Sequence, residues 1–562
     1  MRTQRFYLLG SSLTIAAALL FASSASADTA APTPAPSAAA APSTAATARG
    51  VVYDDANGNG TRDAGEAGLP GVRVSNGAEV VATDASGAYT LPAPDNSTIF
   101  VLKPRDWEVR RDALRINRSY YRHFSPIRTG VPPMPPIPAT DPLPASLDFG
   151  LRRAAPPAPA KFDALLIGDP QVRDPNEVAY VAHDIVEPLA GTFGGTTNGT
   201  PALAVVLGDL CFDNLAMHAP LAGVFAQLGL PMVYVRGNHD TDYAAADEQH
   251  ATDHYQQVFG PTYYALDYGS VHFIVLNDVV WHGKQGDKAG GYEGGLGPRQ
   301  LEFVRNDLAG VPVEQPVVFM MHIPMQEIAE HAELFKLLAA RPHVTAFCGH
   351  THDYNHWFLG AGEGWTGAEP LHVTAIGAAC GAWWSGPPDE TGVPIAMMGD
   401  GTPNGWAVLH WDGSAGRVEF RAARRPADYQ MNIYAPDVVR AAEAAAPQRG
   451  APAPAAPLAA EVDVLVNVFA GSARSKVELR VGDGAWAPLK RTPTKDPALV
   501  AMKAAEKAGP PLRHPTTDPG DCPHMWGGKL PAGLTPGTYT IEVRTTDCYG
   551  QTYTARRVIR VE

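Results

Sequence analysis

The sequence predicts an α/β central domain flanked by two small all-β domains. Three observations lead there. Between residues 161 and 425, apolar runs of strand length alternate with helix-like stretches, and several of the runs end in a polar cluster. On either side, short alternating runs are punctuated by Gly, Asn and Asp turns with no helical period. Ala/Pro-rich stretches at 28–48, 154–160 and 426–456 mark the joints. The chain has 562 residues, too many for one hydrophobic core, so several domains are required.

The N-terminus reads as an export signal. Arg2 and Arg5 precede an apolar run from Tyr7 to Ala22, and Ala25-Ser26-Ala27 has the small-x-small form of a cleavage site. The run is short for a membrane span. No other stretch approaches that length, so residues 1–27 are expected to be removed from an exported chain, periplasmic or secreted, without a transmembrane helix. Residues 28–48 consist almost wholly of Ala, Pro, Ser and Thr. They cannot bury enough apolar surface to fold, and read as a disordered linker.

Residues 49–153 form the first β domain. Its runs include Val72–Val74, Val80–Ala82, Tyr89–Leu91 and Leu147–Leu151. Between them, Asp55, Asn57, Asn59, Gly60, Thr61, Asp63 and Glu66 occupy positions 1, 3, 5, 6, 7, 9 and 12 of a calcium-loop pattern. Oxygen donors recur at alternate positions, Gly60 permits the sharp turn, and Glu66 can chelate with both oxygens. The flanks read as strands, so the pattern is not an EF-hand pair. It resembles the calcium-binding B-type repeat domains of bacterial surface adhesins, which implies a structural calcium ion.

The central domain is expected over 161–425. Its strand-like runs are Ala164–Ile167, Ala202–Leu207, Met232–Val235, Val271–Leu276, Val317–Met321 and Val344–Phe347, with helices over Pro298–Leu308 and Glu327–Ala340. A second β domain is expected over 451–562, from the alternation in Val462–Val468, Lys476–Val481, Tyr539–Val543 and Tyr553–Val561. Five cysteines are present. Cys211, Cys348 and Cys380 sit in apolar segments and read as buried small hydrophobes, whereas Cys522 and Cys548 are candidates for a disulfide.

A formal net charge of −14 argues against nucleic-acid binding, which selects basic surfaces. A positive pocket built by metal ions stays open. The chemistry concentrates in five clusters, each after an expected strand: Gly168-Asp169-Pro170-Gln171, Gly208-Asp209, Gly237-Asn238-His239-Asp240, Met321-His322 and Gly349-His350-Thr351-His352. Singly each is weak. Together they bring carboxylates, amide oxygens and imidazoles to one end of a sheet, a donor set suited to divalent transition metals. Asp213 is read either as orienting a ligand or a loop or as capping a turn, and the pair His250 and His254 as structural or solvated.

This order and spacing is similar to the calcineurin-like metallophosphoesterase superfamily, over residues 162–425. The resemblance implies a four-layer sandwich core and two divalent ions, manganese, iron, zinc or magnesium. It implies that Asp209 bridges both, that Asp169, Gln171 and His352 complete one site, and that Asn238, His322 and His350 complete the other. It further implies that a hydroxide between the metals attacks a phosphomonoester or phosphodiester. His239 then faces the substrate and assists the leaving group, with Asp240 orienting it. Most of the family has Asp-x-His where Asp169-Pro170-Gln171 stands. A Gln oxygen is a harder ligand than imidazole and disfavours zinc. Because the Asp-x-Gln form also occurs in nucleotide-diphosphate-type pyrophosphatases, that activity is an alternative. A non-catalytic surface-binding or adhesion protein is another, disfavoured because every ligand position holds a competent residue. Trp383, Trp384 and Asn404, in loop-like segments, are the candidate substrate contacts.

Overall fold

The computed structural model describes residues 46–123, 140, 142–191, 193, 196, 198–283, 290–439 and 462–562. The expected export signal and nearly all of the first linker lie outside them. The N-terminal region is two four-stranded sheets. In one, Thr47–Asp54 runs between Ala88–Pro92 and Phe149–Arg153, with Trp107–Val109 at the edge; the other joins Val80–Ala82, Arg73–Ser75, Ser97–Val101 and Tyr120–His123. Alternation aims Val52, Val74, Leu91, Ile99 and Leu151 into one shared core, where each is at most 2% exposed. Each such side chain contributes roughly 1.5–3 kcal/mol on burial.

The central region is mixed α/β and is built on two sheets. The five-stranded sheet comprises β1 (Lys161–Ile167), β2 (Ala204–Leu207), β3 (Met232–Val235), β10 (Gly405–Asp412) and β11 (Ala415–Ala422), in the order β3-β2-β1-β10-β11. The six-stranded sheet comprises β4 (Tyr264–Tyr268), β5 (Val271–Val275), β6 (Val317–Met320), β7 (Val344–Cys348), β8 (Tyr354–Leu359) and β9 (Leu371–Ile376), in the order β4-β5-β6-β7-β9-β8. Strands β1, β2 and β3 are parallel to one another, as are β5, β6, β7 and β9. Apolar residues on both faces of these strands explain their near-continuous hydrophobic runs. Leu166, Val206 and Val408 of the first sheet share a core with Phe273, Val318 and Phe347 of the second.

Helices cover the outer faces. Pro175–Val181 starts where Asp174 caps the backbone N–H groups of Asn176 and Glu177 and Pro175 supplies a preset φ. The amphipathic helix Gly297–Ala309 lays Leu301, Val304 and Leu308 on the second sheet beside Ile274 and Phe319. The helix expected over Glu327–Ala340 is shorter, His331–Leu338. Ile328 is extended, and the Glu330 carboxylate accepts from Leu296 and Gly297 N–H at 2.8 and 3.0 Å.

The C-terminal region corrects the all-β expectation. It holds a helix, Pro497–Glu506, capped by Asp496 through Ala498 and Leu499 N–H. Ala-rich sequence after an Asp-Pro start is sufficient reason. Its two sheets also recruit Met431–Tyr434 and Val438–Val439, which precede the expected boundary at 451. Cys522 and Cys548 are not bridged. Cys522 Sγ instead lies 3.2 Å from His524 Nδ1. Among the described residues no helix is long and apolar enough to cross a membrane.

Candidate metal centre

All the candidate ligands sit just beyond the C-terminal ends of parallel strands, where α/β sheets place their ligand crevices. Asp169 and Gln171 follow β1, Asp209 follows β2, and Asn238 follows β3. From the facing sheet, His322 follows β6, while His350 and His352 follow β7. The backbone there is strained. Asp169, Gln171, Asp209, His350 and His352 all have positive φ, between 40° and 71°. For non-glycine residues this conformation is uncommon and costs about 1–3 kcal/mol each, so its recurrence at one locus marks a site held by its surroundings. Two glycines show why the motifs carry them. A Cβ on Gly208 would meet His322 Nδ1 at 2.4 Å, and one on Gly349 would meet Asp169 Oδ2 at 2.3 Å.

The donors converge in two groups that share Asp209. One ligand atom each from Asp209, His322 and His350 lies within 4.8 Å of the others, and the same holds for Asp169, Asp209 and His352. Asn238 Oδ1 is 3.1 Å from His322 Nε2, placing it with the first group. Gln171 Nε2 donates to Asp209 Oδ2 at 3.2 Å, placing its amide with the second. Backbone carbonyls aim the rings. His322 Nδ1 meets Leu207 O at 2.9 Å and His352 Nδ1 meets Gly381 O at 2.7 Å, so each Nε2 points inward. His350 Nδ1 lies 3.2 Å from His322 Nε2.

These groups are electrostatically frustrated. Burial and the neighbouring charged His322 push His350 down to about 3 and His352, further helped by His239, down to about 4. Against burial, Asp209 raises His322 to about 10, and against burial His322 and His239 hold Asp209 well below the usual carboxylate range. Burial and the Asp209 charge raise Asp169. The uncharged rings of His350 and His352 and the ionised Asp209 carboxylate, beside a charged His322, supply converging lone pairs. Divalent cations fit that donor set.

One assignment changes. Asp240 does not orient His239. Its buried carboxylate accepts from the N–H groups of Gly237, Leu210 and Cys211 and contacts His218 Nε2 at 3.0 Å, so it braces the loops that carry Asp209 and Asn238. The partner of His239 is Asp213, whose Oδ1 lies 2.6 Å from Nδ1. Burial opposes charge on His239, but the Asp213 hydrogen bond and Asp209 outweigh it and raise its proton affinity. The His239 N–H also donates to Asp209 Oδ1 at 2.9 Å.

The candidate substrate contacts divide. Trp384 is 0% exposed and donates from Nε1 to Pro170 O, so it is a core residue. Asn404 is also buried, its amide spent on Asp184 and Ala379 O. Neither reaches a cleft. Trp383 is 40% exposed, with its ring 5.1 Å from that of His352. Phe212, stacked 4.5 Å from His239, and Tyr292, edge-on 6.5 Å from His350, were not legible as site residues, since lone aromatics carry no local signal. Asp278, outside the five clusters, carries no such signal either. It accepts from His322 and Ile323 N–H and so fixes the His322 loop.

Far from this centre, the Asp55–Glu66 loop folds on itself. Asn57 and Asn59 amides both donate to Asp63 Oδ2, and Glu66 accepts from Ala56 and Asp63 N–H. Asp55 is 5% exposed. Its Oδ2 accepts from Gly60 N–H, and its buried Oδ1 has no partner.

Three family models match the chain. The model for calcineurin-like phosphoesterase matches residues 164–354, that for the N terminal of calcineurin-like phosphoesterase residues 56–129, and that for the C terminal residues 374–553. A search of curated proteins finds no match. Among solved structures, a purple acid phosphatase, PPD1, from yellow lupin (Lupinus luteus) seeds is 14% identical, with a TM-score of 0.33 over 63% of this chain and 67% of that one. The structure of PhoD is 11% identical, with a TM-score of 0.33 over 68% of this chain and 88% of that one.

Proposed function

We propose, for a chain that belongs to the calcineurin-like phosphoesterases with N- and C-terminal extension domains, that its phosphoester hydrolysis runs at the two donor groups sharing Asp209. That sharing carries the reading, because dinuclear centres of this family need one ligand common to both ions. Asp169, Gln171 and His352 would hold one ion with Asp209, and Asn238, His322 and His350 the other. When bound, such a pair supplies Lewis-acid charge for phosphoryl oxygens and lowers the pKa of water. The Gln171 amide would turn its oxygen, in place of its nitrogen, toward Asp209.

The chain's own residues complete the chemistry. Asp213 holds Nδ1 of His239, which leaves Nε2 for the substrate. As water adds to phosphorus and the bond to the leaving oxygen breaks, that oxygen takes the Nε2 proton. Phe212 stacks on the His239 ring and limits its rotation. Trp383 and Tyr292 offer apolar surface beside His352 and His350, where the alcohol portion of a phosphomonoester or phosphodiester would lie. The test is to strip the protein of metal and restore manganese, iron, zinc or magnesium separately. Each form is assayed on aryl phosphomonoesters and phosphodiesters. Turnover is expected only with metal. No turnover on either class with any metal would remove the reading.

The N-terminal loop is read as a calcium site, carried by the buried, unpartnered Oδ1 of Asp55 amid the donors of Asn57, Asn59, Thr61, Asp63 and Glu66. Calcium should raise the melting temperature, and Glu66→Gln should abolish that rise. Residues 1–27 are read as an export signal. N-terminal sequencing of exported protein should begin after Ala27.

A further inference from the structure

A second donor cluster lies on β8 and β9 of the six-stranded sheet. His356 on β8 and His372 on β9 approach through Nδ1 and Nε2 at 2.9 Å. Thr374 Oγ1, from the residue paired with His356, is 3.3 and 3.2 Å from the same two atoms. Cys548, in the turn between the C-terminal strands Gly537–Thr546 and Thr552–Val561, brings its sulfur within 4.8 Å of a ring nitrogen of each histidine. It is not in a disulfide. His356 also hydrogen-bonds the Ala470 backbone, which fixes its ring as backbone carbonyls fix metal-binding histidines.

Aromatic rings flank the two histidines. The Tyr549 ring stands 6.1 Å from His356 and 5.7 Å from His372, and Phe358 stacks on His372 at 4.4 Å. His356 is 8% exposed, while His372 and Cys548 are partly open to solvent, so an ion has a way in. Two imidazole nitrogens and one sulfur suit a borderline cation of the zinc class. In a tetrahedral zinc site with Zn–N near 2.0–2.1 Å, the two nitrogens stand about 3.3 Å apart. The observed pair need separate by only about half an ångström, within reach of a small ring rotation. Burial keeps both imidazoles uncharged, the form in which they bind metal.

We propose that His356, His372 and Cys548 hold a further, structural cation that fastens the C-terminal extension to the strands bearing the catalytic loops. On binding, the Cys548 thiol loses one proton to solvent and both rings enter neutral. The placement gives this consequence. β8 begins two residues after His352, and β9 leads into the turn whose Gly381 carbonyl aims His352. An ion there would couple docking of the extension to the rigidity of that ligand loop.

The full-length protein is loaded with cobalt(II) in place of its native metals. A near-ultraviolet thiolate-to-cobalt charge-transfer band is expected. Cys548→Ser should remove the band and lower bound metal by one equivalent per chain, while aryl-phosphate turnover stays within about twofold. His372→Gln is read the same way if the serine variant does not fold. No band in the wild-type protein overturns the proposal. So does a band that survives both substitutions, which would assign it to another thiol such as Cys380.

Discussion

Two buried histidine clusters in this chain have opposite electrostatics. At the interface of the core with the C-terminal extension, His524 has an acceptor on each nitrogen: Asn467 Oδ1 at 2.9 Å from Nδ1 and Asp400 Oδ2 at 2.9 Å from Nε2. Burial opposes its charge, yet Cys522 and Asp400 carry it up to about 10. Such a ring is a finished ion pair. Around Asp209, by contrast, His350 and His352 are driven down to about 3 and 4, and His350 turns Nδ1 toward the His322 ring at 3.2 Å. That cluster keeps uncharged ring nitrogens beside the ionised Asp209. Both set imidazole beside carboxylate in the protein interior. The difference is whether protein acceptors alone satisfy the ring nitrogens.

The largest effect that can break this comparison is Asp209→Ala. It removes the carboxylate common to both groups, and turnover should fall by at least about 10³-fold together with bound metal. Asn467→Ala, at the satisfied cluster, should leave turnover and metal content unchanged. Next, His239→Ala should lower kcat by about 10²–10⁴-fold with metal content intact. Asp213→Asn should give a smaller loss of the same kind, since it positions His239 without touching substrate. Loss of metal in His239→Ala would return that residue to the ligand set.

Adjacent tryptophans sharpen the distinction between burial and reach. Trp384→Ala should cost about 3–5 kcal/mol of stability by opening a core cavity. Trp383→Ala should instead change KM by a few fold and leave the melting temperature nearly unmoved. The smallest effect concerns pH. The folded value of His524 lies above its unfolded value near ~6.5, so its stabilisation is fully present below ~6.5 and is lost as pH rises through about 10. Asp400 is held low, so its share is lost only as pH falls through its depressed value. His524→Gln should therefore flatten the alkaline arm of melting temperature against pH between ~6.5 and ~10, and leave the acid arm steeper than the alkaline one.

Much of the core was legible because strand signals are local. Met232–Val235 and Val271–Val275 read directly from apolar runs bounded by turn residues. The helix Pro497–Glu506 was missed because alternating neighbours set the expectation for the whole segment, although Ala-rich propensity stood in plain view. At the centre, the Gly-Asp, Gly-Asn-His-Asp and Gly-His-Thr-His strings named the donors, since each needs a glycine for close approach and a donor at a strand end. Their partners were not legible. Asp213 and Asp240 look equivalent in a string of letters, yet one faces His239 and the other braces three backbone N–H groups.

By itself, then, the sequence offered the residues able to bind metal and the runs that form the strands carrying them. Those properties depend on side-chain chemistry and on periodicities of two to four residues. Only the tertiary structure decided that Asp213 and not Asp240 meets His239, that the Trp383 ring lies beside His352 while Trp384 is buried, and that His356 and His372 meet Cys548. Each is a juxtaposition of residues from different strands or loops. The register of two sheets and the docking of a third region set such distances, and no local window of sequence encodes them.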